Sequence, residues 1–451
     1  MSISNPPLAL SAAVAAALLL SACSTDIPAE SGDPAPSAAG SASAAASDEH
    51  PAEEEGQTEV AALAPRAVLT YDGGVMTVDT ESGEGVATAE MDGFLRVSNA
   101  GDGRHVMIST GEGFSLFDTG LIAQWHGDHN HYFVSEPALT DETVEAPEPG
   151  HVVVHEGKTA LFSDGTGAIT VMDSEAISDG EISEDEVQEH STETAHHGVA
   201  VPLSSGELLL TQGTADARDT VQVLSPEGDV IAETTDCPGV HGEAAAEPTA
   251  EGDVVALGCE NGPVVYRDGA FHKVAVEEDY QRSGNLFGHH ASSIILGDYK
   301  VDADAEKERP TRIGLFDTLS DSVTTVDLGS EYWFRSLARG ADGEALVLTY
   351  DGQLNVLDEE TGDVIHEIDV VEPWEEPEEW QSPGPIVKVG ADGFAYVTDA
   401  ATQQLHVIDI SAGTILDSFD LPETPTELAV VTGDPEAPSE DDHEDHEEHE
   451  D

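Results

Sequence analysis

Apolar and polar positions alternate with a period near two through most of this chain, from Ala67 to about Val431. Segments such as Val68-Leu69-Thr70-Tyr71, Val75-Met76-Thr77-Val78-Asp79, His105-Val106-Met107-Ile108 and Phe114-Ser115-Leu116-Phe117-Asp118 are bounded by Gly, Asp and Asn. This pattern predicts short strands joined by tight turns, and helical spacing is hard to find. Comparing the chain with itself gives a unit of about 40 residues. Within it a Gly/Asp turn leads to an apolar strand, a second turn, and a strand closing in Val-x-Asp or similar. Ala345-Leu346-Val347-Leu348-Thr349 with Asn355-Val356-Leu357-Asp358 is one example, and Phe394-Ala395-Tyr396-Val397-Thr398 with His406-Val407-Ile408-Asp409 another.

Strands at this spacing predict an all-β chain folded as a single β-propeller, each repeat being a four-stranded blade. Blades fall near 94–125, 151–177, 196–235, 241–276, 289–328, 335–370 and 385–421. Residues 67–91 supply three strands, and Thr426 to Val431 the missing innermost one, so N- and C-terminal strands close the ring. Eight blades result, with seven as the alternative and an array of β-sandwiches as the competing architecture.

With strands lettered a to d outward, antiparallel pairing starts strands a and c at one rim, here the top. Three segments leading into blades carry histidine at nearly the same register: His196-His197-Gly198, His241-Gly242-Glu243 and His289-His290-Ala291. On the same reading Leu121 to Trp125 is a strand d, so the loop His126-Gly127-Asp128-His129-Asn130-His131 emerges at the top too. The connection from there to His151 runs about 25 residues, far beyond the usual two to six, and reads as a lid. Four segments distant in sequence thus bring imidazole to one rim. Imidazole and carboxylate together suit Zn²⁺; soft ligands for copper(I) are nearly absent, and calcium prefers oxygen. The expected ligands are His126, His129 and His131 from the loop over His196 or His197, His241, and His289 or His290, with Asp128 as a carboxylate ligand; not all can hold one ion, so either four are chosen or two sites exist. His151 and His155 share one strand and read as structural.

Charge narrows the partners. Fifteen Lys and Arg against 92 Asp and Glu leave a formal charge of −77, which repels nucleic acid and attracts cations. Residues 1–22 read as a lipoprotein signal peptide: the apolar run Leu8 to Leu20 ends in Leu20-Ser21-Ala22-Cys23, a bacterial lipobox with Cys23 as the lipidated residue. No Lys or Arg precedes that run. Residues 23–64, rich in Ala, Ser, Pro, Gly and Glu, form a flexible tether, 65–432 the propeller, and 433–451 an acidic, His-rich disordered tail. The expected location is therefore extracytoplasmic, on a lipid anchor at the cell membrane. The tail's His443, His446 and His449 solubilise the chain or weakly collect metal. Cys237 and Cys259, the only cysteines after the anchor, are expected as a disulfide bracing His241, or alternatively as zinc ligands with it. The chain lacks Gly-x-Ser-x-Gly, His-Glu-x-x-His and phosphate-loop motifs.

With those residues in view, the chain resembles the AztD-like zinc metallochaperones, extracytoplasmic propellers that accompany zinc ABC transporters. The resemblance covers roughly Ala67 to Val431. It rests on Trp125 to Tyr132, His196-His197-Gly198, Asp236-Cys237-Pro238-Gly239-Val240-His241-Gly242-Glu243, Gly258-Cys259-Glu260-Asn261-Gly262 and Gly288-His289-His290. It implies a protein that binds Zn²⁺ tightly and hands it directly to the transporter's solute-binding protein; the chain is expected to be a monomer and not an enzyme. The lipobox and the C-terminal position of the His/acid tail depart from that family. Two other readings are a metal-dependent hydrolase or lactonase-type propeller with Glu243 as general base, and a metal-independent protein-binding propeller.

Overall fold

The computed structural model describes residues 56–126, 129–177, 180–183 and 187–434. The expected signal segment, Cys23, Asp128 and the tail from residue 435 onward lie outside the described residues. Among those residues the chain is all-β: eight four-stranded antiparallel sheets, one three-stranded sheet, and a single 3-10 turn at Ser174–Ile177. The four-stranded sheets are numbered I to VIII here, in chain order.

Sheet I takes its first strand, Glu427–Val431, from the far end of the chain; it pairs antiparallel with Arg66–Tyr71, setting Arg66 opposite Val431. First strands lie against first strands of neighbouring sheets along the series. Arg96–Asn99 of sheet II touches Glu427–Val431 and also Pro149–His155 of sheet III, and Val387–Val389 of sheet VIII touches Glu427–Val431 again. This is a propeller-like arrangement, in which one sheet packs face to face on the next. Burial follows from it. Second strands such as Arg66–Tyr71 are covered on both faces, whereas outer strands such as Thr414–Asp420 are largely exposed. The Val-x-Asp closings also have a cause: Asp79 and Asp317 end third strands and Asp358 directly follows one, and their Oδ1 atoms accept the N–H groups two and three residues on. Such a carboxylate fastens the turn to the next strand.

Three expectations are corrected. Leu121–His126 is not the fourth strand of its sheet; that place belongs to Ala138–Glu145. Leu121–His126 pairs instead with His129–Val134 as a hairpin inserted between the third and fourth strands of sheet II. Alternation marks a strand but names no partner, and two alternating segments so close in sequence readily pair with each other. The hairpin therefore springs from the bottom rim, where Arg66 fastens its base by donating to the Ser135 carbonyl at 3.0 Å and to the Thr119 carbonyl. Second, His289 ends its first strand, Leu286–His289, so His289 and His290 sit at the bottom turn rather than at the top. Third, Thr58–Val60, within the expected tether, is a strand that pairs with His129–Val134.

Candidate metal centre

Three histidines meet at the top, each carried at or just before the first strand of consecutive sheets. His151 lies in Pro149–His155 of sheet III, His197 just before Ala200–Pro202 of sheet IV, and His241 just before Glu243–Thr249 of sheet V. Their ring centroids are 5.1 Å (His151–His197), 5.6 Å (His151–His241) and 4.9 Å (His197–His241) apart. One ligand atom of each lies within 4.8 Å of those of the other two.

Each ring is oriented from behind. Nδ1 of His151 faces the Glu243 carboxylate at 3.2 Å, Nδ1 of His197 faces Asp164 Oδ2 at 2.5 Å, and Nδ1 of His241 faces the Gly284 carbonyl at 2.6 Å. All three partners accept, so all three Nδ1 atoms carry the proton and donate. Nε2 is then the lone-pair nitrogen of every ring, the arrangement that fixes metal-binding histidines in one tautomer. Burial, followed by the neighbouring His151 and His197, holds His241 well below its usual range, so it stays neutral and ready to ligate.

The local sequence supports these contacts. A Cβ on Gly150 would collide with the Asp164 carboxylate, so glycine beside His151 is what lets Asp164 reach His197. Gly242 adopts φ +79°, a left-handed turn between His241 and the strand that follows. Below it the Cys237–Cys259 disulfide, with both cysteines fully buried, joins the segment preceding His241 to the one following Gly252–Leu257. The His241 N–H donates to Gly258 O at 3.0 Å and the Glu260 N–H to Pro238 O at 2.8 Å, completing a braced corner.

The remaining histidines go elsewhere. His196 is buried: its Nδ1 donates to Thr194 O at 2.8 Å, its Nε2 lies 3.2 Å from Thr211 Oγ1, and its ring packs on Phe162. Both nitrogens are committed, so His196 points into its sheet and His197 into the centre. The His289 and His290 rings lie 4.4 Å apart, tilted by 33°, in a bottom cavity shared with His155, whose Nε2 meets Asp253 Oδ1 at 3.0 Å. On the hairpin His126, His129 and His131 form a separate group, with His129 Nε2 3.2 Å from His131 Nε2. His131 Nδ1 meets Glu59 Oε1 of the Thr58–Val60 strand at 3.1 Å. A tetrahedral zinc site sets its nitrogens about 3.4 Å apart, close to that Nε2 spacing. Of the two arrangements expected, one ion on four chosen ligands or two sites, the structure presents two separate groups, one at the top mouth and one on the bottom hairpin.

The sequence sets His151 aside as structural because it shares a strand with His155, whereas the structure brings it together with His197 and His241. The usable signal was its position beside a glycine at the start of a first strand, like that of His241. Nothing in the sequence distinguishes Asp164 among the other carboxylates.

Fold and centre together define a propeller-like protein with a three-histidine, metal-ready mouth. No family model matches the chain. It is similar to the zinc chaperone AztD of Citrobacter koseri, with 26% identity over 390 residues, 82% of this chain and 88% of that protein. Crystal structures of Citrobacter koseri AztD and of its apo form match with TM-scores of 0.69, at 24% and 23% identity, over 83% of this chain and 100% of theirs. At that identity the structural likeness carries the fold.

Proposed function

We propose that this protein is a zinc chaperone. It takes up Zn²⁺ on His151, His197 and His241 at the top mouth of a closed eight-bladed propeller and passes it to the solute-binding protein of a zinc ABC transporter. The observation that carries the reading is the set of three Nδ1 partners, which turns three imidazole rings toward one point. The similarity to a protein named as a zinc chaperone supports the metal and the role. The hairpin group His126, His129 and His131 would take a second, more exposed ion. The fourth position on the top ion remains for an external ligand, as release to an acceptor requires. Glu243, the candidate base of a hydrolase, is taken up by His151. The tether, the lipid anchor on Cys23 and the monomeric state belong to the same proposal.

The deciding experiment is zinc titration with a competing chelator on the wild type and on H151A, H197A and H241A. Loss of one tight zinc in each variant supports the reading; three variants that keep wild-type affinity sink it.

A further inference from the structure

The strand Pro149–His155 carries two of the cavity histidines: His151 lines the top mouth, and His155 lines the bottom one. At the bottom, ligand atoms of His155, Glu156 and Asp253 lie within 4.8 Å of one another. His155 Nε2 donates to Asp253 Oδ1 at 3.0 Å. Donors about 2.1 Å from one ion stand roughly 3.0–3.4 Å apart, so a small closing movement seats a metal among the three. His289 and His290 share the cavity but fall outside this group.

Asp253 is oriented from behind. Its Oδ2 accepts the Ser204 N–H at 3.1 Å and the Ser204 hydroxyl at 2.7 Å, which leaves Oδ1 toward His155. Glu156 comes from the turn after the strand, where it holds φ +47° and Gly157 φ +66°. In such a two-residue hairpin turn Asn-Gly is the relaxed choice. A hydrogen-bonded His155–Asp253 pair accounts for two of the three residues, and the Glu156 carboxylate turns the pair into a ligand set.

The surroundings favour a cation. The bottom cavity, about 510 Å³, is lined by the carboxylates of Glu156, Asp253 and Asp434 and by one cation, Arg339. Arg339 is committed to Glu359 and the Gly343 carbonyl, and Lys158, beside the turn, to Asp173. At the top mouth carboxylates stand behind the rings; here two of them would touch the ion. One imidazole with two carboxylates suits Mn²⁺ as well as Zn²⁺, whereas three imidazoles favour Zn²⁺.

We propose that His155, Glu156 and Asp253 form a divalent-cation site at the bottom mouth, separate from the zinc centre and independent of the zinc reading. The ion replaces the proton on His155 Nε2, which leaves to solvent. It ties sheet III to sheet V, the sheets that carry His151 and His241, and so stabilises the folded chain.

The test uses the full chain in about 0.3 M NaCl, which screens scattered surface carboxylates. Mn²⁺ is titrated in while electron paramagnetic resonance counts the free aquo ion, and melting curves are recorded with and without it. Saturable binding of a single Mn²⁺ per chain and a raised melting temperature are expected in the wild type. Both effects should be lost in H155A and in E156N. Asn suits the turn, so cooperative melting of E156N shows that it folds. H151A/H197A/H241A and H126A/H129A/H131A should keep both effects. Binding that survives in either H155A or E156N, or no saturable binding at all, overturns the site and leaves the zinc reading untouched. Loss in either triple variant instead assigns the ion to the top mouth or to the hairpin, and overturns the bottom site as well.

Discussion

The Asp164 carboxylate stands 2.5 Å from Nδ1 of His197 and reaches it from a turn in the neighbouring sheet. The carboxylate fixes the ring's tautomer and orientation. Asp164→Asn keeps the shape and removes the charge, so zinc affinity at the top mouth should fall about 10–100-fold. Chelator competition measures it, and an unchanged affinity would show that Asp164 is a bystander.

Gly150 is the partner of that contact. Gly150→Ala should push Asp164 off His197 and lower zinc affinity by a similar factor. The double variant G150A/D164N should be no worse than either single one, since both remove the same interaction. Additive losses would mean that Gly150 acts through some other contact.

On the hairpin, the triple variant H126A/H129A/H131A should lose one weakly held zinc per chain and leave the tight site intact. Elemental analysis after graded dialysis gives the count. Loss of the tight ion instead would return the hairpin to the top site, against the strand directions.

The Cys237–Cys259 disulfide closes a loop of sequence separation 22. Such a cross-link stabilises by about 3 kcal/mol in the chain-entropy view. Reduction, or C237S/C259S, should lower the denaturant midpoint and weaken zinc binding together, because the braced corner holds His241. A lower midpoint with unchanged zinc affinity would confine the disulfide to stability.

Four histidines, His196, His241, His289 and His406, are pushed below 6.5, in each case by burial first. The sign follows directly: below pH 6.5 the unfolded chain binds protons that the folded one refuses. Their contribution is therefore fully present above 6.5 and is lost as pH falls toward the lowered folded values. The melting temperature of metal-free protein should fall between pH 7 and 5.5, a window in which exposed carboxylates stay ionised. A flat profile there contradicts this account. Asp253 and Asp358, lowered below 3.8, add a second loss at more acid pH.

Periodicity made the repeat legible, because a strand buried on both faces or on one leaves its mark residue by residue. The borrowing of Glu427–Val431 by sheet I was legible too, since residues 67–91 are visibly one strand short of the unit. Partner choice was not. Leu121–His126 alternates as well as any outer strand, and only the three-dimensional pairing reveals that it folds onto His129–Val134. That one misassignment carried the hairpin histidines to the wrong rim. His289 was misplaced for a related reason: two residues of Leu286–His289 precede Gly288, a strand too short for its start to be seen. His197 could not be separated from His196, because which neighbour turns inward depends on Thr194, Thr211 and Phe162.

The pairing of Arg66 with Val431 has a consequence for biogenesis. Residues 365 positions apart (431 − 66) must find each other before sheet I is whole. Until then Arg66–Tyr71 offers an open edge, the kind of surface that recruits other chains. Contacts of such long sequence separation form slowly. A chain ending before Glu427 should therefore aggregate rather than fold, because sheet I is left without its first strand.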